Sequence, residues 1–331
     1  METNHITHRQ RLENCLSGVV SDQTPIALWR HFPVDDQTPD ELARAIIDFQ
    51  NLYDFDMVKV TPASSFCLKD WGAADEWQGN PEGTRQYVNR VIHQPEDWLK
   101  LPVLDPYVGA LGQQLACLKN ICDALGENVP VLQTIFSPLA QAKNLVGGEM
   151  LLAHLRIAAE AIMAGLQTIT ETTCRFVEAA NKTGISGIFY AIQQGNYHLL
   201  SPQEYHQFGT PCDLEILGVT RDKWLNMLHL HGENVMFHLF TDYPVQVINW
   251  HDRETYPTLA EAKALFPGVV CGGLQREKSM LLGTPEHIHS EACDAILATS
   301  NTRFILGTGC VLQTTTPAVN IRAAIQAARH G

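Results

Sequence analysis

The stretch RFILGTGC, residues 303–310, is a short apolar segment that ends in glycine-rich sequence and precedes a helical pattern. It is the eighth segment of this kind along the chain, and the count decides the fold. Each segment predicts a strand, because strands of a parallel sheet covered on both faces are nearly continuous apolar runs between turn residues. The other seven lie at 25–32, 55–62, 129–138, 187–194, 225–232, 245–252 and 268–274.

Helical patterns separate these predicted strands. In TPDELARAIIDFQNLY (38–53), for example, Thr38 is an N-cap, Pro39 fits the first turn and acidic residues follow. Eightfold alternation of strand and helix is typical of a closed barrel. We therefore predict an α/β protein that is a single (β/α)8 TIM barrel over residues 1–331, with an insertion after the second strand. The tryptophan- and glycine-rich part of this insertion, 69–87, is a candidate lid.

Composition narrows the classes of partner. The 331 residues carry a formal net charge of −13, which argues against nucleic acid and anionic membrane surfaces as partners. The nine cysteines are scattered and form no CxxC pair, a usage typical of reduced thiols in the cytoplasm. The first residues are polar and no apolar run approaches a membrane span. We expect a cytoplasmic protein that acts on a small molecule.

Active sites of such barrels lie at the carboxyl ends of the strands, so polar residues there are the candidates. We assign catalytic roles to His31, Lys59 and His229. Lys59 stands in an apolar strand, where a lysine needs a partner or a lowered pKa. The predicted substrate-binding residues are Arg30, Gln133, Tyr190, Gln193, His251 and Gln275.

The segment HLHG (229–232) suggests a metal site. On a strand, residues two apart point to the same side, so His229 and His231 would project together. With Cys310 they would form a three-ligand zinc site that keeps its fourth position open. The alternative is that His229 packs inside the barrel while His231 makes hydrogen bonds in a loop. His251, with Asp252, could equally cap the next helix.

Several motifs resemble the uroporphyrinogen decarboxylase superfamily, which includes the methylcobamide:coenzyme M methyltransferases. They extend from RQRLENCLSG near the start to the last helix, and comprise TPIALWRHF, FSPLAQAKNLVGG, LLSPQEYHQFGTP, HLHG, VINWHD, VVCGGL, LLGTPEHI and RFILGTGCVLQTTTPAVNIRAAIQAAR. The resemblance implies a β/α barrel, in agreement with the strand count, and is compatible with a homodimer.

The chain departs from the decarboxylases at residues important for their chemistry. Arg30 matches the first of two substrate-binding arginines of that family, but Val34 stands in place of the second. The remaining departures replace an aspartate, a tyrosine and a histidine by Thr61, Asn144 and Thr308. The resemblance therefore argues against authentic uroporphyrinogen decarboxylation.

The methyltransferase branch is more similar at the metal. There a His-x-Cys motif and a distant cysteine bind zinc, which activates a thiol; here His229 and Cys310 match, and His231 replaces the first cysteine. Histidine is also a zinc ligand, so the change preserves the site. The resemblance implies a zinc-dependent methyltransferase that acts with a corrinoid, carried on a separate protein, while Arg30, His31 and Lys59 bind an anionic group of the substrate.

Two other hypotheses stay open from the sequence. One is a metal-free decarboxylase of a smaller acid, in which Arg30 and Lys59 orient the carboxylate and His31 or His229 moves protons. The other is a binding protein that uses the barrel as a scaffold without catalysis. Ionisable residues at several strand ends favour an enzyme over this last reading.

Overall fold

Seven parallel strands form one curled sheet in the computed structural model, which describes residues 6–330. Two further strands, β2 and β3, pair antiparallel in a separate hairpin. In chain order the strands are β1 (Val58–Val60), β2 (Ala74–Glu76), β3 (Gln86–Asn89), β4 (Val131–Phe136), β5 (Gly187–Ile192), β6 (Met227–Leu230), β7 (Val247–Trp250), β8 (Val269–Leu274) and β9 (Phe304–Thr308). The order in the curled sheet is β1-β4-β5-β6-β7-β8-β9, so neighbours in sequence are neighbours in space.

Helices connect the strands of this sheet. They are α1 (His8–Ser17), α2 (Pro39–Tyr53), α3 (Gly109–Leu125), α4 (Pro138–Val146), α5 (Gly148–Ile157), α6 (Ala159–Ala180), α7 (Pro202–Phe208), α8 (Thr210–Val219), α9 (Leu259–Leu265), α10 (Pro285–Ala298) and α11 (Ala318–His330). The predicted start of α2 is confirmed, since the Thr38 side chain accepts a hydrogen bond from the Glu41 amide and Pro39 occupies the first turn. All residues of the seven strands are buried, as strands between a barrel interior and a helical layer must be.

The first predicted strand, 25–32, is irregular and closes the barrel between β9 and β1. The Ala27 amide donates to the Leu306 carbonyl at 3.0 Å, and the Asp56 amide donates to the Ile26 carbonyl at 2.9 Å. The predicted barrel is therefore confirmed, but this segment forms only isolated bridges, Ile26 with Leu306 and Arg30 with Leu312.

The spacing of these two bridges explains the irregularity. Arg30 is four positions after Ile26 in the sequence, whereas Leu312 is six positions after Leu306. The longer segment must bulge between the bridges, and Cys310 lies in this bulge. A break in strand pairing thus brings a thiol to the mouth of the barrel.

Between β1 and α3 the chain forms 3-10 helices and the β2–β3 hairpin, whose loop lies at the barrel mouth. The Thr314 amide donates to the Pro81 carbonyl at 2.7 Å, and Arg276 forms an ion pair of 2.5 Å with Glu82. Within residues 6–330 no helix combines the length and the apolar character that a membrane crossing requires.

Candidate metal centre

Three imidazoles and one thiol converge at the carboxyl ends of the sheet strands. His229 lies in β6, His231 follows it, His251 follows β7 and Cys310 follows β9. One nitrogen or sulfur of each lies within 4.8 Å of those of the others. We call these four residues the histidine–cysteine cluster. The structure brings together the three predicted metal ligands and adds His251, which the sequence assigned to substrate binding.

The hydrogen bonds of His229 fix which of its nitrogens is free. Its Nδ1 lies 2.7 Å from Oδ1 of Asn249, its neighbour on β7. The amide group of Asn249 donates to the carbonyls of Cys271 and Thr308 at 2.9 and 3.1 Å, so its oxygen must face His229. Nδ1 of His229 therefore carries the hydrogen and donates it. The lone pair of Nε2 is left for the cluster, as in histidine ligands held by a neighbouring acceptor.

His251 has a similar arrangement. Its Nδ1 donates to a carboxylate oxygen of Glu254 at 2.9 Å, and the other oxygen of Glu254 accepts from Gln275 at 2.9 Å. Nε2 of His251 is buried and has no hydrogen-bond partner among residues 6–330. A buried nitrogen without a partner is costly unless a ligand occupies it. This orphaned atom is the observation that best fits a metal at this place.

Cys310 is buried, and its Sγ atom lies 3.6 Å from Nδ1 of His231. Burial raises the pKa of this thiol, but the three surrounding imidazoles outweigh that effect and hold the pKa well below its usual value. Burial likewise lowers the pKa of His251, yet Cys310 and Glu254 together raise it to about 9. The cluster thus favours a thiolate, the form of cysteine that binds metals.

Gly309 permits the close approach of the Cys310 loop. A Cβ atom at this position would lie 2.6 Å from the Cα of His251 and 2.8 Å from the carbonyl oxygen of Trp250. Only glycine allows the bulge after β9 to pack directly on the backbone after β7. The set of donors that results, three imidazole nitrogens and a thiolate, is a combination that zinc accepts.

A cavity of about 600 Å³ opens beside the cluster and is bounded partly by the hairpin loop. His229, His231 and Cys310 line one part of it. Four cationic side chains also line it, namely Lys59, Arg85, Arg90 and Lys143. The carboxylate among its lining residues, Glu82, is bonded to Arg276.

Lys59 and His31 are the predicted catalytic residues on the wall near Cys310. Lys59 is buried without a carboxylate partner in the described part of the chain, and its Nζ lies 4.5 Å from the centre of the Phe189 ring. Burial lowers its pKa to about 7, although the charge of Cys310 opposes the shift. Burial and then Lys59 lower the pKa of His31 to about 3, so His31 is neutral.

Besides His251 of the cluster, the structure places four of the predicted substrate-binding residues outside the cavity lining. Arg30 packs over Phe32 and donates to the Thr314 carbonyl. The remaining three make hydrogen bonds elsewhere: Gln133 to Gln114 of α3, Tyr190 to Asp213 of α8, and Gln275 to Glu254. Gln193 does line the cavity, as do the unassigned Thr134 and Gln194.

Strand parity separates these two groups. In β4, Thr134 and Phe136 line the cavity and Gln133 does not; in β5, Phe189 and Ala191 line it and Tyr190 does not. Because successive side chains alternate between the two faces of a strand, a polar residue at a strand end can face the helices. The same alternation, counted in steps of two along the chain from His229, could have been used to choose the residues of β6 that face the cavity.

The fold and the cluster together define a barrel protein with a candidate zinc centre at the carboxyl end of its strands. The chain belongs to the uroporphyrinogen decarboxylase (URO-D) family, whose sequence profile matches residues 9–331. The family resemblance expected from the sequence is thereby confirmed.

Two relatives of the chain are methyltransferases. The chain is 20% identical over 245 residues to the methylcobamide:CoM methyltransferases MtbA of Methanosarcina acetivorans and of Methanosarcina mazei, covering 73% of this chain and 70% of each relative. A solved methyltransferase from Methanosarcina mazei superimposes with a TM-score of 0.85 at 18% identity over 98% of both chains. A B12-independent methionine synthase from Shewanella sp. W3-18-1 gives 0.59 at 12% identity over 92% of both. At these identities the structural likeness shows the fold.

Proposed function

We propose that this protein is a zinc-dependent methyltransferase that transfers a methyl group between a corrinoid on a partner protein and a small thiol. The observation that carries the proposal is the convergence of three imidazoles and one cysteine sulfur within 4.8 Å, with Nε2 of His251 left without a hydrogen-bond partner in the part of the chain that the structure describes. The similarity to the methylcobamide:CoM methyltransferases supports the same reaction class.

The cluster residues would hold the metal in the following way. His229, His231 and Cys310 are the ligands expected from the sequence, and His251 is a fourth donor, whose position on the metal an incoming thiol would take. Asn249 and Glu254 orient two of the imidazoles through their Nδ1 atoms. When bound, zinc acts as a Lewis acid and lowers the pKa of a thiol, which makes the reactive thiolate available at neutral pH.

The rest of the site binds and orients the substrate. Lys59 lacks a carboxylate among the described residues, so an anionic group of the substrate supplies the counter-charge that its ammonium needs. His31 has a buried Nδ1 without a partner among the described residues and offers a neutral hydrogen-bonding group beside Lys59. The hairpin loop lines this end of the cavity, where Gly83 packs against the side chain of His31.

Metal-free decarboxylation fits the lining less well. Thr61 and Asn144 line the cavity at positions where the decarboxylases have an aspartate and a tyrosine, and neither can ionise in the physiological range. Val34, at the position of the second arginine, is 69% exposed. The groups that act on porphyrinogen carboxylates in that family thus have no equivalent in this chain at these positions.

The test is elemental analysis of the purified protein beside a variant that carries His229→Ala, His231→Ala and Cys310→Ser. We expect about one zinc per chain in the wild type, as for a mononuclear site, and none in the variant. Methyl transfer from methylcobalamin to small thiols should be lost in the same variant. Wild-type protein that stays metal-free after incubation with zinc, or a variant that retains stoichiometric zinc, would overturn the proposal. Carbon dioxide release from small acids, insensitive to chelators, would instead support the decarboxylase.

A further inference from the structure

The cavity lining contains two further cations, Arg90 and Lys143, which do not belong to the histidine–cysteine cluster. Arg90 follows the β2–β3 hairpin and Lys143 lies in the last turn of α4. One guanidinium nitrogen of Arg90, Nη1, donates to the carbonyls of Asn144 and Lys143 at 2.7 and 3.4 Å. Its Cζ lies 5.5 Å from the centre of the Tyr87 ring. Arg90 is therefore held in place by backbone and an aromatic ring rather than by a carboxylate.

No acidic side chain of residues 6–330 forms an ion pair with Arg90 or Lys143. Burial and then the neighbouring Arg90 lower the pKa of Lys143, so the two charges repel each other. Arg85 of the lining differs in this respect, since it pairs with Asp36, whose carboxylate is buried. Two uncompensated cations side by side in a protein of net charge −13 favour an anion between them.

Lys59 is a separate positive charge of the cavity lining. Its ammonium lies against Phe189, and the charge of Cys310 acts on its pKa. The pKa of Lys143 is affected instead by the charge of Arg90. Lys59 belongs to β1 inside the barrel, while Arg90 and Lys143 belong to the hairpin and helix at its rim. One cavity therefore contains an inner and an outer place for negative charge.

We propose that Arg90 and Lys143 form a second anion subsite, so that the substrate carries two anionic groups, one bound at Lys59 and one at the rim. This inference rests on the proposed function in that both subsites belong to the cavity beside the cluster. The substrate class is an elongated small molecule with two carboxylate, sulfonate or phosphate groups. A cavity of about 600 Å³ accommodates such a molecule, being within the usual range for small-molecule sites.

The experiment uses linear dicarboxylates as a ruler. Calorimetric titrations of the full chain, with and without zinc, compare dicarboxylates of increasing length with monocarboxylates of the same length. At one length we expect the dicarboxylate to bind roughly tenfold tighter or more, which is the gain from one additional charged contact. Arg90→Gln and Lys143→Gln should each remove this gain and change monocarboxylate binding less than about twofold. Lys59→Gln should weaken both ligands.

Lys119→Gln is the matched control, because Lys119 lies on the exposed face of α3 and pairs there with Asp123. It should change neither affinity. If Arg90→Gln lowers the unfolding temperature, Lys143→Gln alone decides, since its side chain makes no ion pair within the described residues. Inorganic phosphate supplies a third probe for a free anion.

The proposal is overturned if no dicarboxylate binds more tightly than the monocarboxylate of the same length. It is also overturned if the gain in affinity remains in both Arg90→Gln and Lys143→Gln. Phosphate binding that depends on Lys143, without any length-dependent gain, would mean a site for a free anion and would overturn the dianionic substrate. Titrations without zinc keep this outcome distinct from a failure of the metal assignment. A protein that takes up no zinc on incubation with the metal and still shows the gain contradicts the proposed function only.

Discussion

Two buried polar clusters of this barrel differ in whether their hydrogen bonds are complete. In the tyrosine cluster, the hydroxyls of Tyr190, Tyr205 and Tyr243 donate to the carboxylate of Asp213 at 2.6, 2.7 and 3.0 Å. In the histidine–cysteine cluster, Nε2 of His251 has no hydrogen-bond partner within residues 6–330, and the hydrogen bond of His229 to Asn249 is made by Nδ1 and not by Nε2.

The comparison shows how burial and completeness separate structural from functional polar groups. The tyrosine cluster joins β5, α7 and α8, and none of its members lines the large cavity. A satisfied network of this kind adds rigidity to the packing of helices on the barrel. In the other cluster, His229, His231 and Cys310 line the cavity, and one nitrogen or sulfur of each of the four residues lies within 4.8 Å of the others, which is the arrangement that a metal requires.

The largest effect on zinc affinity is expected for Cys310→Ser. Loss of the thiolate should lower the affinity roughly 100-fold or more, because even residues that only orient a ligand contribute 10- to 100-fold. Competition with a chromophoric chelator measures it. Cys293→Ser is the matched control, since Cys293 lies on α10 and outside the cluster. Equal affinities for the two variants would remove the distinction between the clusters.

An intermediate effect is expected from the residue that orients His251. Glu254→Ala leaves Nδ1 of His251 without its acceptor and should lower zinc affinity roughly tenfold, whereas Glu254→Gln, which keeps an acceptor oxygen, should recover part of it. The same chelator competition applies, with Glu286→Gln on the surface as control. If Ala and Gln behave alike, the carboxylate does not orient the ligand.

Lys59 should affect substrate rather than metal. Lys59→Met should weaken the binding of 3-mercaptopropionate to the zinc-loaded protein roughly tenfold, through the loss of one buried charged contact, and leave 1-propanethiol unchanged. Spectroscopic titration of the cobalt-substituted protein reports both thiols. A parallel loss for the uncharged thiol would contradict the role of Lys59 as an anion-binding residue.

The tyrosine cluster should leave zinc affinity unchanged and affect stability. Burial raises the pKa of Asp213 from its ordinary 3.8 to about 7, although the three tyrosine hydroxyls oppose the shift. The folded protein thus favours the protonated acid, so this contribution to stability is complete below pH 4 and declines as the pH rises toward 7. Asp213→Asn removes the titration.

Urea unfolding at pH 5 and at pH 8 measures that difference. The free energy of unfolding should fall more between these pH values in the wild type than in Asp213→Asn. Identical pH dependence in both proteins would show that Asp213 titrates normally. Altered zinc binding in the variant would show that the two clusters are coupled.

The sequence was sufficient to predict the barrel because each strand is a continuous apolar run between turn residues. It did not show that 25–32 pairs only at Ile26 and Arg30, because that break depends on the different chain lengths between the bridges. The sequence was likewise sufficient to predict that His229, His231 and Cys310 lie close together.

The remaining site residues depended on three-dimensional information. His251 joins the cluster only because Gly309 lets the chain after β9 pack on the backbone after β7. Arg90 and Lys143 meet through hydrogen bonds between the chain after a hairpin and a helix end, and neither residue stands at a strand end. Gln133 and Tyr190 were chosen by strand position without regard to which face they occupy.

X-ray absorption at the zinc edge of the reconstituted protein detects the donor atoms of the metal site themselves. We expect nitrogen donors at about 2.0–2.1 Å and one sulfur at about 2.3 Å, with the sulfur absent in Cys310→Ser. Addition of a thiol substrate should bring in a second sulfur. A zinc ligand shell of nitrogen and oxygen without sulfur in the wild type would contradict the metal site proposed for the histidine–cysteine cluster. A ligand shell that is the same in the wild type and in Cys310→Ser would contradict it as well.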